Sequence, residues 1–238
     1  MASVVVGMDV EIWSDVVCPW CYIGKRRFEA ARSRFEHAEE VSVTWRSFEL
    51  DPGSPRRPEG TMAELLARRY GSTVAQAEQR LGALDRLAAA DGLTYHLAET
   101  TGGNTFDAHR LVHLGAEQGR GDQVKEAFFH AYFTDLRPIG EPEVLAEVAV
   151  GAGLGAAEVA QVLGSDRFGD QVRDDERRAQ DIGVTGVPFF VIDQKFALPG
   201  AQDVEVVLSA LRRAWASSHP LTLVEGAAGA CTGDECAV

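Results

Sequence analysis

The chain has 238 residues, with 23 Lys and Arg against 36 Asp and Glu and four cysteines. At about 150 residues per domain, this fits one large domain or one domain carrying an insertion, and it can bury a core without help from disulfides. The net charge of −13 opposes nucleic-acid and anionic-membrane partners, because the only dense basic clusters, Lys25-Arg26-Arg27 and Arg56-Arg57, are short and lie among acids. No stretch approaches the ~20 apolar residues of a membrane span. The segment Met1 to Asp9 has no basic n-region, so a cytoplasmic location is expected. In that compartment close cysteine pairs read as catalytic, redox-sensing or metal-binding. The four cysteines fall into two such pairs, Cys18/Cys21 and Cys231/Cys236.

In chain order, the Val4–Val6 run with Val10 and Ile12 predicts a strand that stops at Ser14-Asp15. Phe28, Ala31 and Phe35 repeat at helical spacing, which predicts a helix from Pro19 to Glu36, with Cys18 at the N-cap and Pro19 at the first helical position. Val41 to Phe48 alternates apolar and polar and predicts a second strand, giving a β-α-β unit with parallel strands. After the breaker-rich loop Asp51–Pro58, the pattern turns helical. Helices are expected over Met62–Tyr70, from Val74 to Ala88, after a cap at Asn104 or Thr105, over Gln123–Phe133, Pro142–Val150 and Ala156–Leu163, and through Phe168, Val172, Ala179 and Ile182. Within the last of these, the run Asp174-Asp175-Glu176-Arg177-Arg178 reads as a solvated face. The chain then returns to strands at Phe189–Ile192 and Lys195–Leu198, with Pro188 at the entry, and ends in a helix from Asp203 to Ala216.

This order implies an α/β fold in which a central mixed sheet is interrupted by a large all-helical insertion. The expected divisions are 9–55 and 182–216 for the two parts of the sheet domain, 60–181 for the insertion, and 217–238 for a flexible tail.

Cys18-Pro19-Trp20-Cys21 follows a strand and opens a helix. A sulfur at a helix N-terminus feels the positive end of the macrodipole, and a cysteine three positions on lies on the same helix face. Cys18 therefore reads as the outer nucleophile and Cys21 as the buried resolving thiol. A zinc site made by Cys18, Cys21, Cys231 and Cys236 is the competing reading. Against it, Cys21 lies inside a helix rather than in a knuckle. His109 and His113 stand at metal-binding spacing but lack a third ligand, and no metal or cofactor is expected. Trp13, Trp20, Phe106, Phe189 and Phe190 are candidates for an apolar peptide groove, with core packing the alternative for most of them.

The segment Ser14-Asp-Val-Val-Cys-Pro-Trp-Cys-Tyr-Ile-Gly24, the motif Asn104-Thr-Phe-Asp-Ala-His-Arg-Leu111, and Gly186-Val187-Pro188 before Phe189-Phe190-Val191-Ile192 together resemble DsbA-family thioredoxin-fold oxidoreductases of the FrnE-type cytosolic branch. The resemblance runs from about Val10 to Ala216. It implies a cis Val187–Pro188 bond beside the cysteine pair, with Cys18, Cys21 and Pro188 catalytic and Pro19, Trp20 and Val187 in contact with substrate. It also implies protein thiols and disulfides as substrates, with glutathione or a thioredoxin-type protein as reductant; a homodimer stays open. Trp20 stands where DsbA itself has a histidine, which implies a more reducing potential. Ile12 stands where many thioredoxin-fold enzymes carry a buried acid, leaving Asp15 as a substitute proton acceptor or a simple strand terminator.

The same fold carries 2-hydroxychromene-2-carboxylate isomerases and kappa-class glutathione transferases, which typically have a serine in place of Cys18. That glutathione-dependent chemistry on small aromatic molecules is the alternative function, and a metal-binding or holdase protein is a third. Cys231 and Cys236, as a second redox pair, could reach Cys18, since the chain from Trp215 to Cys231 spans up to about 55 Å when extended.

Overall fold

The structure is a computed structural model and describes residues 7–219. Its elements are β1 (Met8–Ser14), α1 (Pro19–Ser33), β2 (Val41–Ser47), α2 (Met62–Tyr70), α3 (Val74–Ala90), α4 (Phe106–Glu117), α5 (Gly121–Phe133), α6 (Pro142–Gly151), α7 (Ala156–Leu163), α8 (Gly169–Asp181), β3 (Phe189–Ile192), β4 (Phe196–Pro199) and α9 (Val204–Ser218). Val4–Val6 and the second cysteine pair, Cys231 and Cys236, lie outside the described residues. The first helix ends earlier than the sequence pattern suggests, at Ser33, and a 3-10 turn over Ala38–Glu40 leads into β2. Among the described residues no helix is long and apolar enough to cross a membrane.

The four strands form one mixed sheet in the order β2-β1-β3-β4. β2 runs parallel to β1, as a strand-helix-strand crossover requires. β3 returns antiparallel to β1 with Trp13 opposite Phe189, and β4 pairs with β3 through Phe196 and Pro199. This register sets the start of β3 beside the C-terminal end of β1, where the cysteine segment begins.

Alternation divides the sheet's two faces. Val10, Ile12, Phe190 and Ile192 join the main core with Phe28 of α1 and Val207, Leu208 and Leu211 of α9. The Phe28 and Phe190 rings lie 5.8 Å apart, centroid to centroid. Trp13, Phe189 and Val191 instead pack with Ala179 of α8 and with Val184. Helices between β2 and β3 extend the first core, notably through Leu111, Leu114, Phe128 and Phe129.

The charged run in α8 is not simply a solvated face. Asp175 is buried; it accepts from the Ser47 N–H at 2.9 Å, from Arg46 at 3.0 Å and from His113 Nε2 at 3.1 Å. Its own carbonyl takes the Trp13 indole N–H at 2.9 Å. The carboxylate satisfies the last residue of β2 and locks α8 onto the sheet. Of the rest of the run, Asp174 and Arg177 are exposed and pair with each other, whereas Glu176 and Arg178 are half-buried, and Arg178 reaches back to Glu11 at 2.5 Å.

Burial on its own would raise the Asp175 pKa, but His113, the Ser47 N–H and Arg46 outweigh it and hold the carboxyl below its ordinary value. Its ionised form therefore stabilises the fold above the unfolded value of 3.8, and that contribution is lost as the pH falls through the lower, folded value. Asp175→Asn is expected to cost about 2 kcal/mol at pH 7 by denaturant unfolding, with the deficit shrinking below pH 3.8.

Candidate active site

After β1 ends at Ser14, the chain makes one turn, closed by the Cys18 N–H donating to the Asp15 carbonyl at 3.2 Å, and enters α1. Cys18 takes the N-cap position with extended backbone (φ −86°, ψ 113°), and Pro19 takes the first helical position, where a missing N–H costs nothing. The Cys21 N–H donates to the Cys18 carbonyl at 3.0 Å, and both cysteines are free thiols. The Tyr95 hydroxyl donates to the Pro19 carbonyl at 2.8 Å and pins this first turn.

The lead-in to β3 closes the site. The Val187–Pro188 peptide is cis, and Cys18 Sγ lies 3.5 Å from the Val187 carbonyl oxygen as a donor. The Pro188 ring fits against Gly24 one helical turn below the cysteines. A methyl group at Gly24 would come within 2.9 Å of Pro188 Cγ, so only glycine permits this approach.

A set of polar groups lies beneath the thiols. Lys125, from α5, is fully buried; its ammonium donates to the Ser14 carbonyl at 3.1 Å. It lies 5.2 Å from the Phe129 ring centre and 5.7 Å from that of Trp45. Desolvation dominates and pushes Lys125 down to about 8, against the upward pull of Cys21, Asp15 and Cys18. Burial is likewise the largest influence on Cys21 and drives its thiol well above the usual range. Cys18 adds to that shift, while the Lys125 ammonium and the Ser14 hydroxyl oppose it. Ser14 Oγ is buried and makes no hydrogen bond among the described residues in the resting arrangement, which leaves its proton for a Cys21 thiolate.

Asp15 completes the set. Its carboxylate accepts from the Leu50 N–H at 2.7 Å and lies 3.3 Å from His109 Nε2. Burial alone would raise its pKa, but His109, Leu50 and Lys125 outweigh that and hold it below the ordinary value. Burial keeps His109 below its usual value, so near neutral pH the pair is a neutral imidazole donating to a carboxylate. An acid so held is a poor proton acceptor; Asp15 instead acts as the counter-charge of Lys125.

Cys18, Cys21, Pro19, Val187 and Pro188 thus come together. Cys18 is less open than an outer thiol suggests, at 4% exposure against 1% for Cys21, because its sulfur turns towards the Val187 carbonyl. Trp20 is the exposed member of the motif, whereas Trp13 and Phe190 are buried in the core. His109 and His113 face different carboxylates, Asp15 and Asp175, rather than a common point. In the Asn104–Leu111 motif the Asn104 side chain accepts from the Phe106 N–H at 3.1 Å, and Thr105 makes no capping bond. Lys125, Ser14 and Tyr95 are new to the site. Lys125 had a signal in the sequence, since Lys125, Phe128, Phe129 and Tyr132 follow the i, i+3, i+4, i+7 spacing of one apolar helix face.

Residues 9–212 match the family model of the DSBA-like thioredoxin domain. Among solved structures, the probable DsbA oxidoreductase SCO1869 from Streptomyces coelicolor superposes with a TM-score of 0.85 at 46% identity, covering 97% of this chain and 99% of that one. The cytosolic disulfide reductase DsbM from Pseudomonas aeruginosa, also solved with GSH, shares the fold at a TM-score of 0.55 and 17% identity, covering 88% of this chain and 96% of that one. Among curated sequences, the uncharacterized protein YwbO of Bacillus subtilis (strain 168) is 25% identical over 205 residues, 86% of this chain and 96% of its own length.

Because Lys125 titrates near 8 in the fold and at 10.5 when free, the unfolded chain binds the extra proton between those values. The Lys125 contribution to stability therefore rises with pH across that window. The expected gain is about 3 kcal/mol relative to a Lys125→Met variant, which lacks the titration. Parallel denaturant unfolding of the two proteins from pH 7 to 10.5 measures it, and curves that stay parallel would contradict the assignment.

Proposed function

The chain belongs to the DSBA-like thioredoxin domain family of oxidoreductases, and from that premise we propose that it reduces or isomerises protein disulfides through its Cys18-Pro19-Trp20-Cys21 dithiol. The observation that carries the reading is the asymmetry of the pair. One sulfur opens the helix beside the Val187 carbonyl, and the other is kept protonated by burial next to a buried ammonium.

In the proposed cycle the Cys18 thiolate attacks a substrate disulfide, forming a mixed disulfide and expelling one substrate thiolate. Cys21 then attacks the Cys18 sulfur, its proton ending on an expelled thiolate. The products are a Cys18–Cys21 disulfide and a reduced substrate. Held as a thiol at rest, Cys21 does not compete for substrate. Lys125 and the Ser14 hydroxyl lower the cost of its thiolate when the mixed disulfide has formed. Pro188 supports substrate binding, since a proline at the strand entry gives no N–H to the sheet and leaves neighbouring backbone groups, with Val187, free for an extended peptide. Pro19 and the exposed Trp20, within the dithiol motif, are read as further substrate contacts. Glutathione or a thioredoxin-type protein would reduce the enzyme disulfide. A cytoplasmic setting, where thiols are kept reduced, favours this direction. We read residues 60–181 as an insertion in the thioredoxin-like unit that contributes Lys125 and His109 to the site.

Trapping tests the assignment. Cys21→Ser expressed in cells is expected to accumulate protein mixed disulfides on Cys18 that thiol reductant releases. The Cys18→Ser/Cys21→Ser variant should trap none, and insulin reduction by Cys18→Ser should fall at least about 100-fold. Recovery of glutathione alone, or of no adduct, would contradict a protein-disulfide substrate.

A further inference from the structure

Beside the dithiol, on the side of Asp15, Val17 and Pro19, lies a cavity of about 600 Å³. Its opposite wall is the α2–α3 hairpin, through Met62, Leu65, Leu66, Leu81 and Leu84. Both helices begin with capping boxes, Thr61 with Glu64 and Thr73 with Gln76, so the hairpin is locally well specified. The Met62 N–H donates to the Thr100 carbonyl at 2.7 Å, which fixes the hairpin against the segment that forms the cavity's next wall.

The lining is largely apolar, and among the described residues one of its polar side chains is fully buried without a hydrogen-bond partner. Asp15 is engaged by Leu50 and His109, and the Thr100 hydroxyl donates to the Leu97 carbonyl at 2.9 Å. The unpartnered side chain belongs to Tyr132 of α5, which is 1% exposed and lines the cavity, and whose hydroxyl has no hydrogen-bond partner among the described residues; Thr100 stands nearby but not at hydrogen-bonding geometry. A buried hydroxyl left unpaired costs free energy, and a volume in the range of small-molecule sites gives it room to be satisfied by a ligand.

We propose that this cavity binds a small, uncharged, largely apolar molecule carrying a carbonyl group, with the carbonyl oxygen accepting from the Tyr132 hydroxyl. The acceptor is required because the phenol keeps its proton; burial pushes it up to about 12. The ligand is uncharged because the ionised Asp15 forms part of the wall, and Arg69, the one cation in the lining among the described residues, is exposed at the rim. The proposal rests on the cavity and on Tyr132, and not on the dithiol reading.

The test uses the full chain as Cys18→Ser/Cys21→Ser, which removes redox chemistry from the result. 1-Tetralone and its deoxygenated analogue tetralin are titrated by methyl NMR. Tetralone is expected to shift the Met62, Leu81 and Leu97 methyls and to bind about five- to tenfold more tightly than tetralin; adding Tyr132→Phe should erase that preference. If Tyr132→Phe fails to unfold cooperatively, Leu84→Trp serves instead, and by filling the cavity it should abolish binding of both molecules. Absence of binding up to the solubility limit, a cavity holding water only, a preference that survives Tyr132→Phe, or binding that survives Leu84→Trp would each overturn the proposal.

Discussion

A single buried ammonium organises the chemistry at the end of β1. Lys125 contacts the Ser14 carbonyl and bears electrostatically on Cys21, Cys18 and Asp15 at once. A buried charge is costly unless paired, and Asp15 and Cys21 would be more costly to ionise without it. Lys125 thus tolerates its own burial because Asp15 is held ionised, and it makes a buried Cys21 thiolate accessible. The thiol pair, the acid and the base form one electrostatic unit assembled from β1, α1 and α5.

That unit depends on how firmly α5 is held to the cysteine helix. Tyr22, the residue after Cys21, stacks on Phe129 with ring centres 4.7 Å apart, and Tyr95 stacks on Phe133 at 4.6 Å. Lys25 is almost fully buried yet meets Asp122 at 3.3 Å, Glu126 at 3.0 Å and Glu29. Arg26 and Arg27 are likewise paired with acids. The densest basic cluster of the sequence is therefore structural cement, Lys25 and Arg26 tying α1 to α5 and Arg27 tying it to Asp91 and Asp203, consistent with the acidic balance of the chain. The helices between β2 and β3 complete the site's electrostatics by supplying Lys125 and His109, one reason for their presence in a sheet fold.

Local patterns carried much of this to the reader of the sequence. Cys18 and Cys21 at a helix start, proline at the first helical position, and the parallel β-α-β unit all follow from short-range rules, and Pro188 at the strand entry sits where its motif suggests. Long-range charge burial was not legible. Asp175 sits in a run of three acids and two bases whose ordinary place is solvent, and only its nearness in space to Ser47, 128 positions away in the chain, reveals a buried anchor. Lys125 reaches Ser14 across 111 positions. Both depend on which residue of a distant element supplies the partner, and residue type and periodicity do not encode that. Cys18 shows the same limit, since its turn towards Val187 depends on where β3 meets β1.

The most direct measurement is the rate at which Cys21 resolves a preformed Cys18 mixed disulfide, followed by stopped flow across pH 6 to 10 in the parent protein and in Lys125→Met. The expected result is at least about tenfold slower resolution without the ammonium at pH 7, with the rise in rate displaced to higher pH. Equal rates with the same pH profile would show that Lys125 does not govern the Cys21 thiolate and would contradict the account.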